Sequence, residues 1–191
     1  MIGFREITTD DAKLILDWRT SSRITRFMSS DLEYNLEDQK KWISSIGFRE
    51  DYYPWIITLS ERPIGLLYVE NLNIKRKETY WGFYIGDEEA LGFGGLIPPF
   101  FYNFAFDVLG VNMVKAEVFY NNLSVIKLHL KQGCEFLPED DRVITKSGES
   151  ILIVAMSLNK EVFKSSKFSK LKADLPILHW RAYPKGLEKN D

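Results

Sequence analysis

The 191-residue chain is 45% hydrophobic and 27% charged, with 25 Lys and Arg against 27 Asp and Glu, a formal charge of −2. This is ordinary composition for one globular domain with a sizeable core, and it lacks the basic excess of a nonspecific nucleic-acid binder. One cysteine (Cys134) and two histidines (His129, His179) exclude an internal disulfide and argue against a zinc site; no apolar run nears the roughly 20 residues that span a bilayer, and MIGFREITTDD has no signal-peptide character, so a cytoplasmic protein without a metal is expected.

Phe4 to Ile7 is a short strand, and Thr8-Thr9-Asp10-Asp11 supplies a capping box for a helix with Ala12, Ile15, Leu16 and Trp18 on its apolar face. That helix stops or breaks at Trp18–Ser22 and resumes over Ile24 to Met28. Asn35-Leu36-Glu37-Asp38 starts another, carrying Trp42, Ile43 and Ile46 and stopped by Gly47. After Pro54 the period changes to that of strands. Trp55–Leu59, Ile64–Glu70 and Thr79–Ile85 form a three-strand antiparallel meander, its first turn at Ser60-Glu61-Arg62-Pro63.

The stretch 86–96 is glycine-rich (Gly92, Gly94, Gly95) and leads into an apolar helix ending near Gly110. Strand, glycine turn and helix in that order bring backbone N–H groups toward an anion, and the missing Cβ atoms let a phosphate approach the chain. A plain tight turn is the alternative. Pro98-Pro99 restrict the helix start to Ile97 or Pro98, because proline fits only a first turn. Met113–Phe119 is a strand, Leu123–Lys131 a helix stopped by Gly133, and Glu135–Leu137 with Ser150–Leu158 a final pair of strands around the acidic turn Pro138-Glu139-Asp140-Asp141.

The tail, 160–191, carries eight Lys or Arg against four Asp or Glu. Val162, Phe163, Phe168, Leu171 and Leu175 suggest a short amphipathic helix, and Pro176–Trp180 a docked segment. We therefore expect a domain over residues 1–158 and a basic C-terminal extension over 159–191, packed on it or offered to an anionic partner.

Several residues stand out as candidates for chemistry. Asn122 stands ready to cap the helix or to hydrogen-bond a ligand lying along it, and His129, seven residues on and on the same face, points toward that ligand. Glu117 sits mid-strand between Ala116 and Val118, as a general base or as a hydrogen-bond acceptor for a neighbouring turn. Glu70 is a weaker candidate for the same role. Tyr68, Tyr80, Trp81 and Tyr84 read as core or groove lining, with one or two able to stack on a planar ligand group.

The element order and two spaced motifs resemble the GNAT-type N-acetyltransferases over roughly residues 3–158. Glu89-Ala-Leu-Gly92-Phe-Gly94 is similar to that family's Gln/Arg-x-x-Gly-x-Gly/Ala loop, with Glu89 in place of Gln or Arg. Asn122-Leu-Ser-Val-Ile-Lys-Leu128-His129 is similar to its Asn-x-x-Ala-x-x-Leu-Tyr pattern, with His129 in place of tyrosine. WRTSSRITRFM and KAEVFYNNLSVIKL resemble the N-acetyltransferases of pseudaminic acid biosynthesis, which act on a UDP-linked amino-dideoxy sugar. A Trp-Arg near the first helix is shared with ribosomal-protein N-terminal acetyltransferases.

The resemblance implies an α/β (α+β) fold: a mixed, mostly antiparallel sheet of about seven strands flanked by helices. It implies acetyl-CoA as co-substrate, gripped by Leu91, Gly92, Phe93, Gly94, Gly95 and Leu96 at its pyrophosphate and by Phe83, Tyr84, Ile85 and Asn122 along its pantetheine, between splayed strands 79–85 and 113–119. Glu117 would take the amine proton and His129 would protonate the thiolate, with a pH-sensitive acid step set by an imidazole pKa of about 6.5. Arg19, Phe27, Met28, Glu70 and Tyr80 would meet a small-molecule amine, a nucleotide-linked sugar, with no nucleic-acid partner and a homodimer left open. Glu89 beside a diphosphate weakens binding unless it turns outward. A peptide N-terminus as acceptor and a non-catalytic CoA-binding module are the competing readings.

Overall fold

A computed structural model describes residues 1–180. Eight strands form one sheet in the order β1-β2-β3-β4-β5-β8-β6, with β7 also paired to β8. β1 (Ile2–Glu6), β2 (Tyr53–Leu59), β3 (Arg62–Asn73) and β4 (Glu78–Ile85) run antiparallel, each to the next. The β2–β3 turn holds Ser60 and Glu61 at φ 48° and 70°, the left-handed pair that a two-residue hairpin requires. β5 (Met113–Phe119) is parallel to β4, β8 (Glu149–Asn159) is antiparallel to β5, and the two-residue β6 (Glu135–Phe136) is antiparallel to β8.

The faces follow from strand alternation. Trp81 stacks on Phe101 of α4 (Ile97–Asp107) and meets His129 of α5 (Leu123–Lys131) edge-on, so these two helices cover its face. Tyr84, three residues on and therefore on the other face, packs edge-on against Trp18 of α1 (Ala12–Thr20). The short α2 (Ser22–Thr25) and α3 (Leu36–Ile46) follow α1, and Asn35 caps α3 by accepting from the N–H groups of Glu37 and Asp38, as its sequence predicts.

Three expectations need correction. First, β7 (Arg142–Lys146) is an additional strand, joined to β8 through Ser147-Gly148 with both φ positive. It was hidden because it is a short edge strand with Val143 turned outward, so it carries no apolar alternation. Second, the glycine segment is not an open turn but a 3-10 helix over Glu88–Leu96. α4 then starts at Ile97 with both prolines in its first turn, as their chemistry demands. Third, Asn122 precedes α5 without capping it by its side chain, which instead accepts from Ser124 Oγ.

Beyond β8, α6 (Lys160–Ser165) is followed by a 3-10 turn (Lys167–Lys170) and an extended run to Trp180, shorter in helix than the tail's apolar spacing suggests. This run straps the sheet. Asn103 donates to the carbonyls of Ser169 and Leu171, Trp55 Nε1 to that of Pro176, and Trp180 stacks on Tyr53 at 4.9 Å. The expected extension continues past Trp180 into residues outside those described.

Candidate active site

β4 and β5 pair only from Glu78–Tyr80 to Met113–Lys115; beyond that they diverge. Trp81 to Ile85 keep β3 on one edge and leave the other open. Gly86 N–H bonds Ile64 across that closed edge, so alternation turns the N–H and C=O of Trp81, Phe83 and Ile85 toward the opening. The expected splay is present. Arg23 fills its far end, donating to the carbonyls of Ile85 and Gly86 at 3.0 and 2.6 Å, so the Ile85 carbonyl is already bonded and unavailable to pantetheine.

A cleft of about 470 Å3 occupies the opening on the α4–α5 side. Phe83, Tyr84, Ile85, Leu91, Gly94, Gly95, Asn122 and His129 line it, whereas Gly92, Phe93 and Leu96 do not. Leu91 and Gly94, three apart, share the face of the 3-10 helix that meets the cleft, and Gly95 reaches it at the end of that helix, beside Leu128 of α5. None of the three glycines has a positive φ. A Cβ on Gly94 would meet Ile85 only at 3.6 Å and one on Gly95 would meet Leu128 at 3.8 Å, so neither packing nor conformation explains them. What their absence of side chain leaves is bare main chain along the cleft wall, which suits close approach of an extended thioester with a diphosphate. Glu89 turns outward, 81% exposed and bound to Arg62 at 3.0 Å, which removes the charge conflict.

A second cavity of about 710 Å3 lies on the α1–α3 side, and Arg19, Glu70, Tyr80, Glu117 and Arg142 are among its walls. Phe27, Met28, Tyr68, Trp81, Tyr84, Glu117 and Phe119 border both cavities, so the two meet where the strands part. Arg19 Nη1 and Tyr84 Oη are fully buried there with no protein partner. The Tyr80 hydroxyl is committed to Asp140 at 2.7 Å.

The two carboxylates differ. Glu117, expected as a base in apolar surroundings, faces this cavity partly exposed, and Arg142 binds both its oxygens at 2.8 and 2.6 Å. An ion-paired carboxylate is a poor proton acceptor. Glu70 accepts no hydrogen bond at its side chain among the described residues. Burial, with the charge of Glu117 adding to it, raises its pKa above the usual carboxylate range. It ends the regular part of β3, where register with β4 breaks and Asn71 takes φ 52°, a bulge that re-aims the strand into the cavity.

His129 is 3% exposed, and burial pulls its pKa to about 4. It is therefore neutral near pH 7, which overturns a titration near 6.5. Tyr102 Oη lies 3.3 Å from Nδ1, and neutral imidazole accepting there carries its proton on Nε2. Cys134, 3.9 Å from the same nitrogen, is buried with its thiol pushed up to about 11, and is no nucleophile.

Sequence reasoning missed Arg142, on the unforeseen strand, and the junction position of Tyr68. The spacing of a tyrosine and a glycine on adjacent strands is the only signal for the latter, and it is visible only once register is known.

Residues 4–152 match the Acetyltransferase (GNAT) domain. Among curated relatives, the chain is 26% identical over 138 residues to Acetyltransferase PseH of Campylobacter jejuni serotype O:2, spanning 72% of this chain and 85% of that protein, and 25% identical over the same length to its counterpart from serotype O:23/36. Two solved structures share its fold: spermidine N-acetyltransferase from Vibrio cholerae in complex with CoA and spermine (TM-score 0.76, 14% identity, 85% of this chain and 97% of that one), and aminoglycoside acetyltransferase AAC(6')-Ib in complex with coenzyme A (TM-score 0.69, 18% identity, 87% and 99%). With its family domain covering most of its length and a splayed β4–β5 cleft of the right form, the chain belongs to the GNAT family and is an acetyl-CoA-dependent N-acetyltransferase.

Proposed function

We propose that the acceptor is the primary amine of a nucleotide-linked amino sugar. The observation that carries this is the second cavity: about 710 Å3, joined to the cofactor cleft at the strand gap, with Arg19 in its wall, whose Nη2 donates to Ser30 while the buried Nη1 has no protein partner. A buried guanidinium N–H without a protein partner suits an anionic oxygen such as that of a phosphate group. The likeness to PseH supports the same substrate class. Phe27 and Met28, at the junction, wall the sugar's apolar edge, and Tyr80 borders the cavity beside them.

In this reading acetyl transfer is direct. Acetyl-CoA extends along the open edge of β4 with its diphosphate beside Gly94 and Gly95. A main-chain N–H of Trp81, Phe83 or Ile85 polarises the thioester carbonyl. Glu70 rather than Glu117 takes the amine proton, because only Glu70 has a free carboxylate of raised basicity. Glu117, neutralised and held in place by Arg142, serves as a fixed hydrogen-bond acceptor for the incoming amine. His129 donates a hydrogen bond from neutral Nε2–H to the departing sulfur, which stabilises it without an imidazolium.

Thiol release from acetyl-CoA, measured with UDP-amino sugars and with N-terminal peptides, tests the assignment. Release with the sugars is expected; release with peptides alone refutes it, and tight CoA binding with no release from either makes the chain a binding module.

A further inference from the structure

We propose that the Tyr68 hydroxyl is a catalytic hydrogen-bond donor, placed at the junction of the two cavities to stabilise the oxygen of the acetyl group as the amine adds. This rests on the acetyl-transfer reading. Tyr68 lies directly opposite Gly82 in the β3–β4 register. Its ring lies over that glycine: a Cβ there would stand 2.4 Å from the hydroxyl oxygen and 2.6 Å from Cζ. Gly82 is thus the vacancy that lets a β3 side chain cross β4 and reach the gap beyond it. No other residue type leaves that path open.

Tyr68 borders both cavities, and its hydroxyl makes no hydrogen bond among the described residues. As packing alone, a phenylalanine would serve better, because an unmatched hydroxyl in a half-buried site costs stability and gains none. The ring itself is held firmly. Tyr52 stacks on it at 5.9 Å, and Tyr52 is in turn flanked edge-on by Trp42 and covered by the Arg49 guanidinium. A fixed donor needs no reorganisation when charge develops beside it. Burial and the nearby Glu70 raise the phenol's pKa, so it stays protonated and acts as a donor, not as a base.

The step balances without consuming the phenol's proton. The amine nitrogen bonds to the thioester carbon while the carbonyl pair moves onto oxygen, where Tyr68 and a β4 N–H receive it. The pair returns as the C–S bond breaks. The nitrogen's proton passes to Glu70 and finally to the CoA thiolate, which leaves as the thiol.

The test compares Tyr68→Phe with the wild-type protein in steady-state kinetics, and in the infrared carbonyl stretch of bound [1-13C]acetyl-CoA. Tyr68→Phe should lower kcat about 100-fold with KM values changed less than about threefold, and the bound carbonyl should absorb at higher frequency than in the wild type. Gly82→Ala keeps the hydroxyl but displaces it, and should reproduce both effects. Wild-type kcat in Tyr68→Phe overturns the proposal, as does a loss confined to KM. Should the wild-type protein turn over no amine at all, the transfer reading fails separately, and the infrared comparison alone decides: an unchanged carbonyl frequency in Tyr68→Phe overturns the Tyr68 assignment.

Discussion

Arg142 closes on Glu117 with two parallel bonds, Nε to one oxygen at 2.8 Å and Nη2 to the other at 2.6 Å, and so leaves Glu70 as the unpaired member of the two strand carboxylates in this cavity. This pairing divides two acids of which the sequence favours Glu117 as the base. Glu70→Gln should reduce kcat by about 100-fold and abolish the acidic limb of the pH–rate profile, whereas Glu117→Gln should act mainly on the acceptor KM. An acidic limb that survives in Glu70→Gln and vanishes in Glu117→Gln would reverse the assignment.

Glu70 also makes a prediction about stability. Its carboxyl pKa is raised in the folded protein by burial and then by Glu117. The folded state therefore holds that proton to higher pH than the unfolded chain, and stability falls as pH rises through the raised value. Glu70→Gln should melt above the wild-type protein at pH 7, with the difference disappearing below about pH 4, where both states are protonated. Equal Tm values at pH 7 would show that Glu70 carries no burial strain.

His129 gives the opposite sign. Its pKa falls to about 4 by burial, so the unfolded chain takes up the proton first as pH drops. Stability tied to this residue is complete above the unfolded value near 6.5 and lost progressively down to about 4, about 3 kcal/mol in all. His129→Phe should lose less stability than the wild-type protein between pH 7 and pH 4, as read by denaturant titration. It should also lower kcat more than it weakens CoA binding. Unchanged kcat would remove His129 from the mechanism.

Gly94 separates ligand approach from folding. A Cβ there has room, 3.6 Å from Ile85, so Gly94→Ala should keep the wild-type Tm within about 2 °C. It should nevertheless weaken CoA binding by about tenfold, because the methyl group stands between main chain and phosphate. Calorimetric titration with CoA checks this, and unaltered affinity would move the diphosphate elsewhere.

Trp180 tests the strap. It is 3% exposed, stacks on Tyr53 and donates to the Arg49 carbonyl at 2.6 Å. Trp180→Ala should cost about 3 kcal/mol of stability and leave KM for acetyl-CoA unaltered. A changed KM with no loss of stability would instead tie the strap to the site.

The elements that build the cleft were legible because each carries a local signature. Asn35 announces α3, Pro98 and Pro99 fix where α4 begins, and alternation in 113–119 correctly sets Lys115, Glu117 and Phe119 on one face. What stayed hidden depends on register between distant segments. Arg142 meets Glu117 across 25 residues, through β7, whose outward Val143 and charged ends mimic a loop. Tyr68 and Gly82 are unremarkable apart, and acquire meaning only when β3 and β4 align them. The glycine run reads as a turn because composition does not distinguish that from a 3-10 helix, which keeps φ negative throughout.

The central claim is that the reacting bond lies where β4 and β5 part, between the two cavities. A crystal structure with CoA tests it most directly. The account predicts the diphosphate beside Gly94 and Gly95, pantetheine along the open edge of Trp81 to Ile85, and the sulfur within reach of Gly82 and Tyr68. A cofactor bound elsewhere, with side chains closing the gap between Phe83 and Val118, would contradict it.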